Sequence, residues 1–166
     1  MSMKASRFNN IASTHQRGFT LVELLITLTI AAILISLASP SFSSMIKNNR
    51  IASQADELIL SLNYARSEAI SRGESVSLNS GSVNWHEGWT VDTGDGTTIR
   101  NYAALEGSTT LVGSASTLEY RGNGFFAGDG AITFTLCDDR ENSTGRAISV
   151  SLTGRVENNN MLCNPA

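Results

Sequence analysis

The chain has 166 residues, with 12 lysines and arginines against 15 aspartates and glutamates, two histidines and two cysteines. That length supports one modest globular core beside an extended element. Two cysteines and the single histidine beyond residue 15 fall short of the four ligands a structural zinc site takes, and the acidic balance argues against a strong nucleic-acid-binding surface.

Residues 1–18 carry Lys4, Arg7 and Arg17, no acid, and no apolar centre of their own, which is unlike an ordinary secretory signal. Their charge predicts a cytoplasmic N-terminus, with the remainder delivered across the membrane. Gly18-Phe19-Thr20-Leu21-Val22-Glu23 then opens an apolar run over residues 19–38, interrupted only by Thr20, Glu23, Thr27, Thr29 and Ser36. At helical rise this run is long enough to cross a bilayer's hydrocarbon core. A carboxylate inside it costs roughly 2.5–3.5 kcal/mol on insertion scales, so Glu23 calls for an interfacial place or a positive partner, which a free amine at Phe19 would supply. On these residues alone a simple signal anchor, or cleavage after the small residues Ser36 and Ala38, stays open.

Pro40 lies just past the run and predicts a kink in the helix rather than its end. Beyond it Ile51, Ala55, Leu58, Leu62, Ala65 and Ala69 recur at steps of four and three, an apolar seam, with Lys47, Arg50, Gln54, Glu57 and Ser61 mostly off it. Glu68 and Arg72 form a favourable i,i+4 pair, and Gly73 supplies a stop. The pattern predicts one helix over about residues 20–72, its first half (19–40) in membrane or filament core and its second (41–73) packed on a domain spanning 74–166.

After Gly73, short β-prone runs alternate with turn signals. The candidate strands are 76–78, 89–91, 97–102, 109–112, 118–120, 131–137 and 147–152. Ile132, Phe134, Leu136, Ile148, Val150 and Leu152 should face inward, with Thr133, Thr135, Ser149 and Ser151 outward. Asp95-Gly96 and Asp129-Gly130 are turn dipeptides. Asp92-Thr93-Gly94-Asp95-Gly96 mimics part of a calcium loop but lacks its closing glutamate, and reads as a hairpin turn. Trp85 and Trp89 read as core aromatics, and Arg66 as a helix-surface or helix-to-sheet hydrogen-bonding residue. Cys137 and Cys163 lie in the part placed outside the cytoplasm and should pair, tying the tail 158–166 to a strand end; a loop of that size contributes about 3 kcal/mol.

Arg17-Gly18-Phe19-Thr20-Leu21-Val22-Glu23-Leu24-Leu25 resembles the class III leader and N-terminus of type IV pilins and type II secretion pseudopilins. The resemblance implies cleavage by a prepilin peptidase between Gly18 and Phe19, N-methylation of Phe19, and an assembly role for Glu23 against a neighbouring subunit's Phe19 amine. Residues 62–70, Leu-Asn-Tyr-Ala-Arg-Ser-Glu-Ala-Ile, with Trp85, Gly88-Trp89 and Gly154-Arg155, are similar to the GspH/FimT family of minor pilins and pseudopilins, nearer its FimT/FimU members. This implies an α+β pilin-like fold, a long N-terminal helix packed on an antiparallel two-sheet β-domain. The partners it implies are other minor pilins, the major pilin and the inner membrane.

No catalytic constellation or cofactor motif is evident, so a non-enzymatic assembly protein is expected. A type II secretion pseudopilin is one alternative, and DNA binding is another, because some family members serve DNA uptake and the resemblance places a basic motif beginning Gly-Arg near the C-terminus. Here Gly154-Arg155 leads to Val156 and Glu157, and from residue 74 onward five arginines and no lysine face eleven acids. Arg140, Arg146 and Arg155 are the candidate contacts for DNA, which is possible but not favoured.

Overall fold

The computed structural model describes residues 18–163, without the side chains of residues 37–41. A single helix, α1, covers Leu21–Arg72. Helix is assigned through Pro40 without a break, and the kink expected there falls on side chains outside the described set. By contacts the chain divides after Ser41 into two units.

In the first unit every described side chain of residues 21–36 is exposed, including Leu24, Leu28 and Ile33. A helix apolar on all sides gains nothing from water and takes its burial from lipid or other chains. Among the described residues no helix is long and apolar enough to cross a membrane. The run expected to span, 19–38, passes beyond the last described side chain at residue 36, and residues 21–36 alone are shorter than the about 20 that a hydrocarbon core takes.

In the second unit the predicted seam is the core face of α1: Ala55, Leu58, Leu62, Ala65 and Ala69 have no exposure at all. Two residues expected off the seam are also buried. Ser61 donates to the Leu58 carbonyl (2.8 Å) and accepts the Trp89 indole N–H (3.0 Å), while the Gln54 amide donates to the Glu106 carbonyl (2.9 Å). The Ser61 hydroxyl and the Gln54 amide N–H are met by partners there, while Gln54 Oε1 is buried without one. α1 ends at Arg72, and Gly73 after it has a φ of +67°, the left-handed turn that closes a helix without a Cβ clash.

The helix packs beside eight strands: β1 (Val76–Asn79), β2 (Trp89–Thr93), β3 (Thr98–Tyr102), β4 (Thr110–Gly113), β5 (Thr117–Tyr120), β6 (Ile132–Cys137), β7 (Thr144–Val150) and β8 (Val156–Leu162). They form two four-stranded antiparallel sheets, ordered β3-β2-β1-β5 and β4-β6-β7-β8. This is the expected α+β class. Ile132, Phe134, Leu136, Ile148 and Val150 are buried as alternation predicts. Leu152 is not: β7 ends at Val150, and Leu152 sits in the following turn, 47% exposed. Asp95-Gly96 closes the β2–β3 hairpin, with the Thr97 N–H on Asp95 Oδ1 at 3.0 Å. Asp129-Gly130 instead lies on the passage from β5 in one sheet to β6 in the other.

Aromatic packing joins the layers. Trp85, in a short 3-10 turn (Trp85–Glu87), meets Phe134 edge-on at 4.9 Å and donates its N–H to the Ala115 carbonyl at 2.8 Å. Trp89 stacks on Tyr102 at 5.1 Å. Arg66 leaves α1 to donate to the carbonyls of Gly124 (2.9 Å) and Thr153 (3.1 Å), pinning two loops to the helix. Gly154 allows this approach: its φ is +76°, and a Cβ there would stand 2.3 Å from the Gly124 oxygen and 2.9 Å from Arg66 Nε.

Candidate assembly site

The N-terminus of α1 is built by its own sequence. The Thr20 carbonyl accepts the Leu24 N–H at 3.1 Å and starts the helix. The Glu23 N–H donates to Thr20 Oγ1 at 3.2 Å, while the Thr20 N–H and hydroxyl both reach back to Glu23 Oε2 at 3.4 Å. This is a reciprocal capping box, in which one carboxylate satisfies free donors and sits at the positive end of the helix dipole. Sequence reasoning on Glu23 missed it, although Thr-x-x-Glu before an apolar run is its signature. Gly18 has open space around it and Phe19 is 85% exposed.

Further along, the polar exceptions in the apolar run are turned inward on the backbone. Thr27 donates to the Leu24 carbonyl (2.9 Å), Thr29 to Ile26 (2.8 Å) and Ser36 to Ile33 (2.7 Å). Their hydroxyl protons are satisfied without water, as an apolar surrounding requires. Glu23 is the one ionisable side chain among residues 18–36.

The cysteines expected to pair do so: Cys137 and Cys163 form a disulfide with Cα atoms 5.8 Å apart. The bridge passes from the end of β6 to the residue after β8, over β7, where Gly145 leaves room; a Cβ there would lie 2.4 Å from the Cys163 sulfur. Beside it, the β6–β7 loop is clasped to α1. Lys47 meets Asp139 at 2.7 Å, and Arg140 binds both Asp138 (2.5 Å) and the Asn48 side chain (2.7 Å). Burial alone would raise the Asp138 carboxyl, but hydrogen bonds from Arg140 and Ser143 hold it below its ordinary value. The hydrogen bond from Lys47 lowers that of Asp139.

The three arginines considered for DNA are not brought together. Arg140 sits in the loop before β7, engaged by Asp138; Arg146 lies within β7; and Arg155 follows the turn beyond the far end of β7, 3.5 Å from Glu157. Seven residues of strand, roughly 3.4 Å each, separate the first from the last. Asp92 spends both carboxylate oxygens on the hydroxyls of Thr90 (2.7 Å) and Thr98 (2.6 Å), so the calcium-like stretch is held as a hairpin. Among the described residues no group of three or more histidine, cysteine, aspartate or glutamate side chains is placed to hold a metal.

A prokaryotic N-terminal methylation motif matches residues 13–39, across the capping box and the apolar run. Among solved structures, the type IV minor pilin FimU of Pseudomonas aeruginosa is similar in two crystal forms. One aligns at 26% identity with a TM-score of 0.60, covering 67% of this chain and 89% of that one. The second gives 26% identity and a TM-score of 0.56, covering 65% and 91%. No curated protein matches. The family model described as type II transport protein GspH matches residues 54–154, from the buried seam of α1 to the glycine that admits Arg66. With more than half of its length matched, the chain belongs to the GspH family.

Proposed function

We propose that this chain is a non-enzymatic minor pilin of a type IV pilus. A prepilin peptidase cleaves it between Gly18 and Phe19 and Phe19 is N-methylated. Residues 19–38 hold it in the inner membrane as a single span, with the β-domain in the periplasm. It then joins a pilus by helix packing among other minor pilins and the major pilin, priming assembly or forming part of the tip complex. The observation that carries this reading is an apolar helix segment exposed on every side with one carboxylate at its mouth. Glu23 supplies the charge that a neighbouring subunit's N-terminal amine neutralises. The likeness to a type IV minor pilin supports the pilus over other machines.

A secretion pseudopilin is the second reading, favoured by the family description as a type II transport protein. A DNA-binding minor pilin draws little support, since two of the three candidate arginines are paired with carboxylates and the set is spread along β7. The test is the amount of major pilin sheared from cells lacking this chain, with complementation. A large complementable loss is expected; unchanged pili would shift the reading to secretion.

A further inference from the structure

Four strand edges bound the two sheets, and three are blunted. β4 is covered by residues 83 and 84, through the Asn84–Val112 bridge and the Gly113 N–H given to the Val83 carbonyl. β5 is covered by Phe126, bridged to Tyr120, and by Ala127, which donates to the Glu119 carbonyl. β3 is five residues long, carries Arg100, and its register with β2 shifts between Val91 and Asp92. Short, bulged and charged edges resist further pairing.

β8 is neither covered, short nor bulged, and Glu157 is its one charge. It is seven residues long, pairs with β7 in unbroken register from Val156↔Val150 to Leu162↔Thr144, and has no strand on its outer side among the described residues. It contains no lysine and no proline. Residues 157–160 are exposed on both faces of the strand, and Leu162 is 72% exposed. Ordering backbone takes roughly 1–2 kcal/mol per residue, and β8 buries little in return. It is held by the ladder to β7 and by the disulfide at Cys163.

We propose that β8 is a self-complementary edge on which a second copy of this chain pairs antiparallel, about a two-fold axis at Asn159. The side-chain order selects that register. Asn159 faces its own counterpart, Asn158 faces Asn160 of the second copy, and amide meets amide. Val156 faces Leu162, so the apolar ends cover each other and the exposed leucine gains a cross-strand partner. Glu157, the one charge in the strand, faces Met161 rather than its twin. The two outer sheets become one continuous eight-stranded sheet, and both open edges disappear.

The test uses the full-length chain in detergent micelles, followed by sedimentation equilibrium, with circular dichroism and an intact disulfide as the check of folding. The wild type is expected to associate to a dimer as concentration rises. Asn159→Lys and Asn159→Asp each place like charges opposite one another and should weaken self-association at least about tenfold, while an equimolar mixture of the two recovers wild-type strength. Variants that associate as strongly as the wild type would overturn the proposal by placing the contact elsewhere. So would a mixture no stronger than its components. A wild type that stays monomeric would also overturn it, leaving β8 to a strand of a different chain. None of these outcomes depends on pilus numbers, so the proposal and the assembly reading fail separately.

Discussion

The two described stretches of α1 share a backbone and differ in where their burial comes from. From residue 21 to 36 apolar side chains cover every face and all are exposed; from residue 51 to 69 Ile51, Ala55, Leu58, Leu62, Ala65 and Ala69 form one buried stripe, with Leu60 exposed off it. A helix that meets its own domain needs only one apolar side, and the rest of its surface carries Lys47, Asp56, Glu57 and Glu68. A helix that must meet lipid or other subunits on several sides is apolar all round. Domain stability therefore belongs to the second stretch, while the first takes its burial from lipid or other chains, and the two should separate by mutation.

Leu62→Ala should destabilise the domain. Leu62 is fully buried, and truncating such a leucine costs about 2–5 kcal/mol, seen as a lower urea midpoint at unchanged slope. Leu28→Ala, at a position 58% exposed, should leave the same midpoint within about 0.5 kcal/mol. Reducing the Cys137–Cys163 bridge is expected to cost about 3 kcal/mol by the loop-entropy relation, with the C-terminal strand loosening first in hydrogen exchange. Gly154→Ala adds a Cβ at 2.3 Å from the Gly124 oxygen in a left-handed conformation, and should lose about 1–3 kcal/mol while leaving the helix mouth untouched.

Acid should also act on the domain. The carboxyls of Asp138 and Asp139 are held below their ordinary value in the folded chain. Their contribution is therefore present above the unfolded value, near pH 4, and is lost as pH falls through the lowered folded values. A melting temperature that drops below about pH 4, with a shallower drop in Asp138→Asn, is the expected outcome. The smallest effect is Glu68→Gln, which removes the 2.8 Å pair to Arg72 and should change stability by only a few tenths of a kcal/mol.

What could be read from residues alone follows the strength of local periodicity. The seam of α1 was legible because six apolar residues keep helical spacing, and the alternation in β6 was legible because threonines mark its outer face. Ser61 and Gln54 were not, since their burial depends on Trp89 and the Glu106 carbonyl, both distant in sequence. β8 was hidden for a different reason. Val156-Glu157-Asn158-Asn159-Asn160 has neither alternation nor β-branched density and reads as a tail; the strand exists because β7 pairs with it and the disulfide holds its end. At the candidate site, Glu23 was legible as a lone acid in an apolar run, but its bond to Thr20 called for reading the helix start as a cap. The spread of Arg140, Arg146 and Arg155 along β7 follows from a strand that begins at Thr144 rather than Ala147.

In the proposed function α1 carries this chain into a filament through its N-terminal segment. Intact mass of this protein in sheared filaments, from cells expressing the wild type or Glu23→Ala, tests that role. A wild-type species starting at N-methylated Phe19 is expected in the filament fraction, and a Glu23→Ala protein that folds with its disulfide intact but is depleted there at least about tenfold. A wild type that keeps residues 1–18, or a Glu23→Ala protein equally abundant in filaments, would contradict it.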